Sequence, residues 1–205
     1  MISNKALVIG NGESRRSINI EDCRNDYILV GCNAVHRDLE VDHLICCDKR
    51  MADEAARAAT TPTIYTRSDW ITYFKSTYSN VEQLPELPYS GTLKQDQPIN
   101  WGSGVYALLV AIALPVDTIT VVGFDLYPTN TTVNNLYKDT ANYSKSSSKP
   151  VDYSYWVYQT AKLIELHPNK TFQFVNEEGW AIPSEWKKFN VKSLTINTFT
   201  SILVQ

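Results

Sequence analysis

Cysteine is scarce, with four residues (Cys23, Cys32, Cys46 and Cys47) and no C-x-x-C pair. Zinc and dithiol redox sites need neighbouring thiols at that spacing, so neither class is indicated. Cys46-Cys47 falls in an apolar run and reads as two small buried hydrophobes. There is no excess of basic charge, since 19 Lys and Arg face 22 Asp and Glu for a net charge of −3. Broad electrostatic binding to nucleic acid or to an anionic membrane is therefore disfavoured. No apolar run approaches the length of a membrane span, and the opening MISNKALVIG has too short an apolar core for a signal peptide. The expectation is a cytoplasmic protein with no membrane partner.

Glycine is also sparse, at eight residues, and one glycine is missing where it matters. The stretch ALVIGNGESRR at 6–16 runs from an apolar segment into Gly10 and Gly12, but a dinucleotide fingerprint G-x-G-x-x-G would need a third glycine at Arg15. An NAD site is thereby disfavoured. Two readings stay open: a turn that offers backbone N–H groups and a cation to a phosphate, and an ordinary tight turn.

What is present is alternation. Apolar runs at 6–9, 27–32, 43–47, 62–65, 118–122 and 171–175 are separated by helix-period stretches at 50–59, 67–76, 103–114 and 153–167, the last two stopped by Pro115 and Pro168. This predicts an α/β fold with a single Rossmann-like domain over 1–205: a mainly parallel sheet, helices on both faces, and a lid loop over 126–152. That loop is rich in Thr, Asn, Ser, Lys and Tyr; it reads either as a Ser-rich linker or, given the interleaved Tyr127, Tyr137 and Tyr143, as a substrate-covering lid, and with too few apolar groups to hold it closed unaided it is expected to be mobile until a donor orders it.

Ligands of parallel α/β sheets bind beyond the carboxyl ends of the strands. Short amides and carboxylates stand there: Asn11 between Gly10 and Gly12, Asn33 after Cys32, Asp48 after Cys47, and Asp125 in Gly-Phe-Asp-Leu-Tyr at 123–127. An amide can read a ribose hydroxyl or a base edge without net charge, although Asx residues at strand ends also make local turns. Ser103 and Gly104 open the 103–114 helix, where free N–H groups either cap the helix or hold phosphate.

Two blocks carry a resemblance. GNGESRRSINIEDCRNDYILVGCN at 10–33 and GSGVYALLVAIALPVDTITVVGFDLY at 102–127 resemble segments of the bacterial CMP-sialic-acid-dependent sialyltransferases that decorate lipooligosaccharide. The resemblance implies that Asn11, Asn33, Ser103 and Gly104 contact the nucleotide and that Tyr127 steadies the leaving phosphate, with Tyr137 as a second lid tyrosine. It also implies a metal-independent enzyme without a bound cofactor, the nucleotide-sugar being a donor substrate.

Two departures alter that picture: Asp48 stands where the family has Asn, and the stretch 149–154, where the family places a histidine base, contains none. His36, His43 and His167 lie elsewhere. Asp152 occupies or adjoins the position, and a carboxylate within reach can deprotonate an acceptor hydroxyl.

The expectation is a glycosyltransferase that inverts the anomeric carbon. Asn11, Asn33 and Asp48 would hold the nucleoside, Gly10, Gly12, Ser14, Ser103 and Gly104 the phosphate, Tyr127 and Tyr137 the leaving group, and Asp125 or Asp152 the acceptor proton. Asp125 could instead only brace its loop. The acceptor is a glycan, or, in a second reading, a modified nucleic-acid base that receives a pentose or hexose from UDP, as some phage-encoded transferases arrange. A third reading is a nucleotide-sugar binding module without turnover. Self-association into a homo-oligomer is left open.

Overall fold

A computed structural model describes residues 4–58, 60–61, 63–127 and 132–203. Eight strands, β1 (Lys5–Ile9), β2 (Ile28–Cys32), β3 (His43–Ile45), β4 (Thr63–Thr66), β5 (Val81–Gln83), β6 (Thr118–Val122), β7 (Thr171–Asn176) and β8 (Val191–Thr195), form one sheet in the order β5-β4-β3-β2-β1-β6-β7-β8. Every neighbouring pair is parallel. The chain builds outward from β1 to one edge, returns to lay β6 on the other side of β1, and builds outward again. This is the Rossmann-like order, and its reversal lies between β1 and β6.

The central strands are apolar throughout because both faces are covered. Alternate residues feed two cores: Ala6 and Val8 join Val30, Val121, Phe172 and Phe174 on one face, while Leu7 and Ile9 join Leu29, Leu44, Val122 and Val175 on the other. The first face is covered by α3 (Ser103–Ala113) and α4 (Ser154–Leu166), the second by α1 (Lys49–Ala58), α2 (Ser68–Lys75) and α5 (Ile196–Leu203). Helix α3 is apolar on nearly all sides and buries Val105 through Ile112, as a helix wedged between sheet and neighbours must. It ends at Ala113 because Leu114, which precedes Pro115, is held extended.

The strands and helices expected from periodicity are present, each within one residue except β3, whose regular ladder ends two residues before the apolar run does. Elements β5, β8 and α5 were not anticipated. The first has three residues, and β8 is an edge strand with mostly exposed side chains, so neither carries an apolar run.

Candidate functional site

The turn after β1 and the loop after β6 are packed against each other. Gly10 N–H donates to the Val122 carbonyl at 2.8 Å and Gly12 N–H to the Gly123 carbonyl at 2.9 Å. A Cβ on Gly10 would stand 2.4 Å from the Gly123 carbonyl oxygen, and one on Gly12 would stand 2.5 Å from the Asp125 carboxylate. The glycine spacing thus serves the close approach of two strand ends. Ser14 N–H donates to Asp125 Oδ2 at 3.1 Å, and Ser14 Oγ donates to Oδ1. The anion resting on the Gly10–Ser14 turn is therefore the chain's own carboxylate. Both donors of Ser14, expected to hold phosphate, are on Asp125.

Arg15, at the missing glycine, is buried. Its guanidinium donates to the Tyr137 hydroxyl at 2.6 Å, which donates in turn to Asp38 Oδ2 at 2.6 Å. Tyr137 is 5% exposed, and burial pushes its hydroxyl well above the usual phenol range. The side chain expected to help the leaving group is thus buried and bonded between Arg15 and Asp38.

Asn11, Asn33 and Asp48 follow β1, β2 and β3, which are successive neighbours in the sheet. Asn11 is 9% exposed. Its Nδ2 donates to the Tyr143 hydroxyl at 2.8 Å, and its Oδ1 is buried with no partner among the described residues. The same hydroxyl accepts from Ala34 N–H at 3.3 Å. Asn33 has φ +54°, a left-handed conformation that asparagine tolerates better than most side chains. Asp48 accepts at its carbonyl from Ala52 N–H, starting α1.

Ser103 Oγ accepts from Cys47 N–H at 3.0 Å, which ties the N-terminus of α3 to the end of β3. Gly104 lies under the Phe124 ring, 3.1 Å from where its Cβ would be. The start of α3 therefore adjoins both the β3 end and the β6 loop. Burial pushes the Cys47 thiol up to about 11, against the pull of Ser103 and the Arg67 guanidinium. Arg67, one residue beyond β4, was not anticipated as a site residue. Its place directly after a strand, like that of Asn33 after β2, was the available signal. Its side chain is 19% exposed and lines a cavity of about 630 Å³ with Tyr89, Asp96 and Tyr106.

Asp125 and Tyr127 are brought together on a second cavity, also of about 630 Å³, with Trp180 and Asn176. Trp180 Nε1 donates to the Asp125 carbonyl at 2.9 Å, and the Tyr127 ring meets Tyr153 edge-on at 5.3 Å. Burial raises the Tyr127 hydroxyl above its ordinary value. Asp152 is not brought to this group. It is exposed and accepts from Ser154 N–H at 2.9 Å at the start of α4; hydrogen bonds from Ser154 hold its carboxyl below the ordinary range.

Among its described residues the 126–152 segment contains no helix or strand. Within it, however, Tyr137 packs into the core and Leu136 and Tyr143 pack against it, while Arg37 donates to Thr140 Oγ1 and the Ala141 carbonyl. Counting Ser, Thr and Asn missed this, because the tyrosines supply both the apolar surface and the hydrogen bonds. Residues 128–131 lie outside the described part.

Among the described residues no group of three or more His, Cys, Asp or Glu is placed to hold a metal ion, and no helix is long and apolar enough to cross a membrane. Among solved structures the chain aligns with a mutant of the α-2,3/8-sialyltransferase CstII at 14% identity and a TM-score of 0.38, covering 62% of this chain and 67% of that one. No protein-family model and no curated protein matches.

Proposed function

We propose that this chain is a glycosyltransferase that takes a nucleotide-linked sugar at the carboxyl edge of its sheet, on the β1–β4 side of the reversal. The observation that carries this reading is that Asn11, Asn33 and Asp48 follow three successive strands at one edge of the sheet, that Ser103 at the start of α3 is bonded to Cys47 beside Asp48, and that Asn11 keeps a buried amide oxygen with no partner among the described residues. An unpaired buried acceptor costs about 1–3 kcal/mol, which a nucleoside hydroxyl would recover as Tyr143 moves aside. The resemblance of 10–33 and 102–127 to sialyltransferase segments supports the same placement.

In this reading the asparagines and Asp48 read the nucleoside. The first N–H groups of α3 have no partners within the helix and, at 103–104, receive the phosphate. Arg67 adds the positive charge that the Gly10–Ser14 turn, filled by Asp125, does not supply. Asp125 takes the proton of the acceptor hydroxyl, whose oxygen attacks the anomeric carbon. The bond from that carbon to the phosphate oxygen breaks, the nucleotide leaves with the electron pair beside Tyr127, and the configuration inverts. The reaction needs no metal in this reading.

A thermal-shift panel of CMP, CDP, UDP and GDP with their sugar conjugates tests it. A nucleotide present at a hundred times its dissociation constant adds about 2.7 kcal/mol of stability. A flat panel contradicts the reading. A shift without release of nucleotide from any sugar conjugate, with or without acceptor, indicates a binding module in place of an enzyme.

A further inference from the structure

The cavity at the ends of β6 and β7 has chemistry unlike the rest of the carboxyl edge. Trp180 and Tyr127 supply aromatic wall, and the Trp180 ring is fixed by its N–H bond to Asp125 and by stacking on Phe174 with centroids 6.1 Å apart. Its charged lining is of one sign: Glu13, Asp125, Glu177 and Glu178, with no Lys, Arg or His among the described lining residues.

The four carboxylates are not equivalent. Glu13 is neutralised by Lys138 at 2.6 Å, and Asp125 rests on the Ser14 donors. Glu177 and Glu178 are exposed, and no described cation pairs with either. The volume of about 630 Å³ lies within the range of small-molecule sites. No three of these carboxylates are placed together to hold a metal ion.

We propose that this cavity is the acceptor site, and that it takes an uncharged or amine-bearing sugar and rejects phosphorylated ones. Aromatic side chains offer flat apolar surface to the C–H face of a sugar ring, and their π-faces attract an ammonium group. Carboxylates accept from hydroxyls and ammonium groups but repel phosphate, most strongly where solvent is partly excluded. Asp125 lines the cavity, so a hydroxyl bound there lies beside the carboxylate assigned to take its proton. The nucleoside stays on the β1–β4 side, and only the leaving phosphate comes near this cavity, at Tyr127.

The inference rests on the glycosyltransferase reading, and it also argues against a nucleic-acid acceptor, which would bring phosphodiesters to an acidic wall.

The test titrates glucosamine, glucose and glucose 6-phosphate into the protein at low salt, read by tryptophan fluorescence and saturation-transfer NMR. Glucosamine should bind several-fold more tightly than glucose, and glucose 6-phosphate about tenfold or more weakly than glucose, a gap of about 1.4 kcal/mol. The double variant Glu177→Gln, Glu178→Gln alters only exposed side chains. It should lose the preference for glucosamine over glucose while keeping the melting temperature. Binding of glucose 6-phosphate as tight as glucose, no binding of any of the three sugars, or an unchanged glucosamine preference in the double variant would each overturn the proposal. The nucleotide panel is run on the same samples. A nucleotide shift without sugar binding defeats this inference alone, and sugar binding with a flat panel defeats the donor reading alone.

Discussion

Asp125 holds two positions at once: it closes the Gly12–Ser14 turn from below and faces the cavity lined by Tyr127 and Trp180. Replacing it by Asn puts an NH₂ group against one of the two Ser14 donors. Asp125→Asn should therefore lose about 1–3 kcal/mol of stability in urea titration. If Asp125 is the base, the variant should also lose about 10²–10⁴-fold in single-turnover rate with donor and acceptor. Asp152→Asn is the matched comparison. Asn makes the same local turn to the N–H two residues on as Asp does, so this variant should keep both stability and rate, and a rate loss confined to Asp152→Asn would move the base to the loop. Both carboxylates were visible as candidates in the sequence. What no spacing could show is that Asp125 itself fills the anion position of the glycine turn, because that depends on two strand ends 111 residues apart meeting.

The 133–143 part of the covering segment behaves as an element without regular structure, fastened from below by Tyr137 and Tyr143 and from the side by Arg37 and Glu54. Arg37 Nε and Nη2 donate to both oxygens of Glu54 at 2.6 and 2.8 Å, and Asn142 Nδ2 donates to Glu54 Oε2 at 2.8 Å. The Arg37 hydrogen bonds, more than any other contact, hold the Glu54 carboxyl below its ordinary value of 4.5. A carboxylate with a lowered folded pKa contributes stability that is fully present above its unfolded value and is lost as pH falls through the folded one. Wild type should thus exceed Glu54→Gln in stability at pH 6, and the gap should close as pH drops below about 4.5. A gap that stays constant down to pH 3 in urea melts would show that the ion pair does not set it. The same segment shows where reading by composition stops: polarity was counted residue by residue, whereas Tyr143 is held through Asn11 and Ala34, which follow two other strands. Strands β5 and β8 escaped for a related reason, since an edge strand is recruited by its neighbour's open hydrogen bonds and needs no apolar run of its own.

At the scale of the molecule, the parallel sheet was legible from the alternation, because buried parallel strands must be apolar and their crossovers amphipathic. The strand order and its reversal between β1 and β6 were not legible, since alternation does not say which strands pair. All four cysteines are built into the layers: burial pushes Cys23 and Cys32 up to about 12, Cys47 up to about 11, and Cys46 well above its ordinary value. A thiol reagent at pH 8 should label the native protein far more slowly than the unfolded chain, with all four thiols appearing together at the unfolding midpoint. Fast labelling of any of them in the native state would mean that the layers open locally.

The central claim is that a nucleotide binds at the carboxyl edge on the β1–β4 side. Backbone amide chemical-shift mapping on addition of the nucleotide that gives the largest thermal shift tests it most directly. The largest changes are expected at 10–14, 33–34, 48 and 103–104, with the Asn11 side-chain amide among them. Perturbations confined to the opposite edge, around 4–5, 26–28 and 116–118, would contradict it.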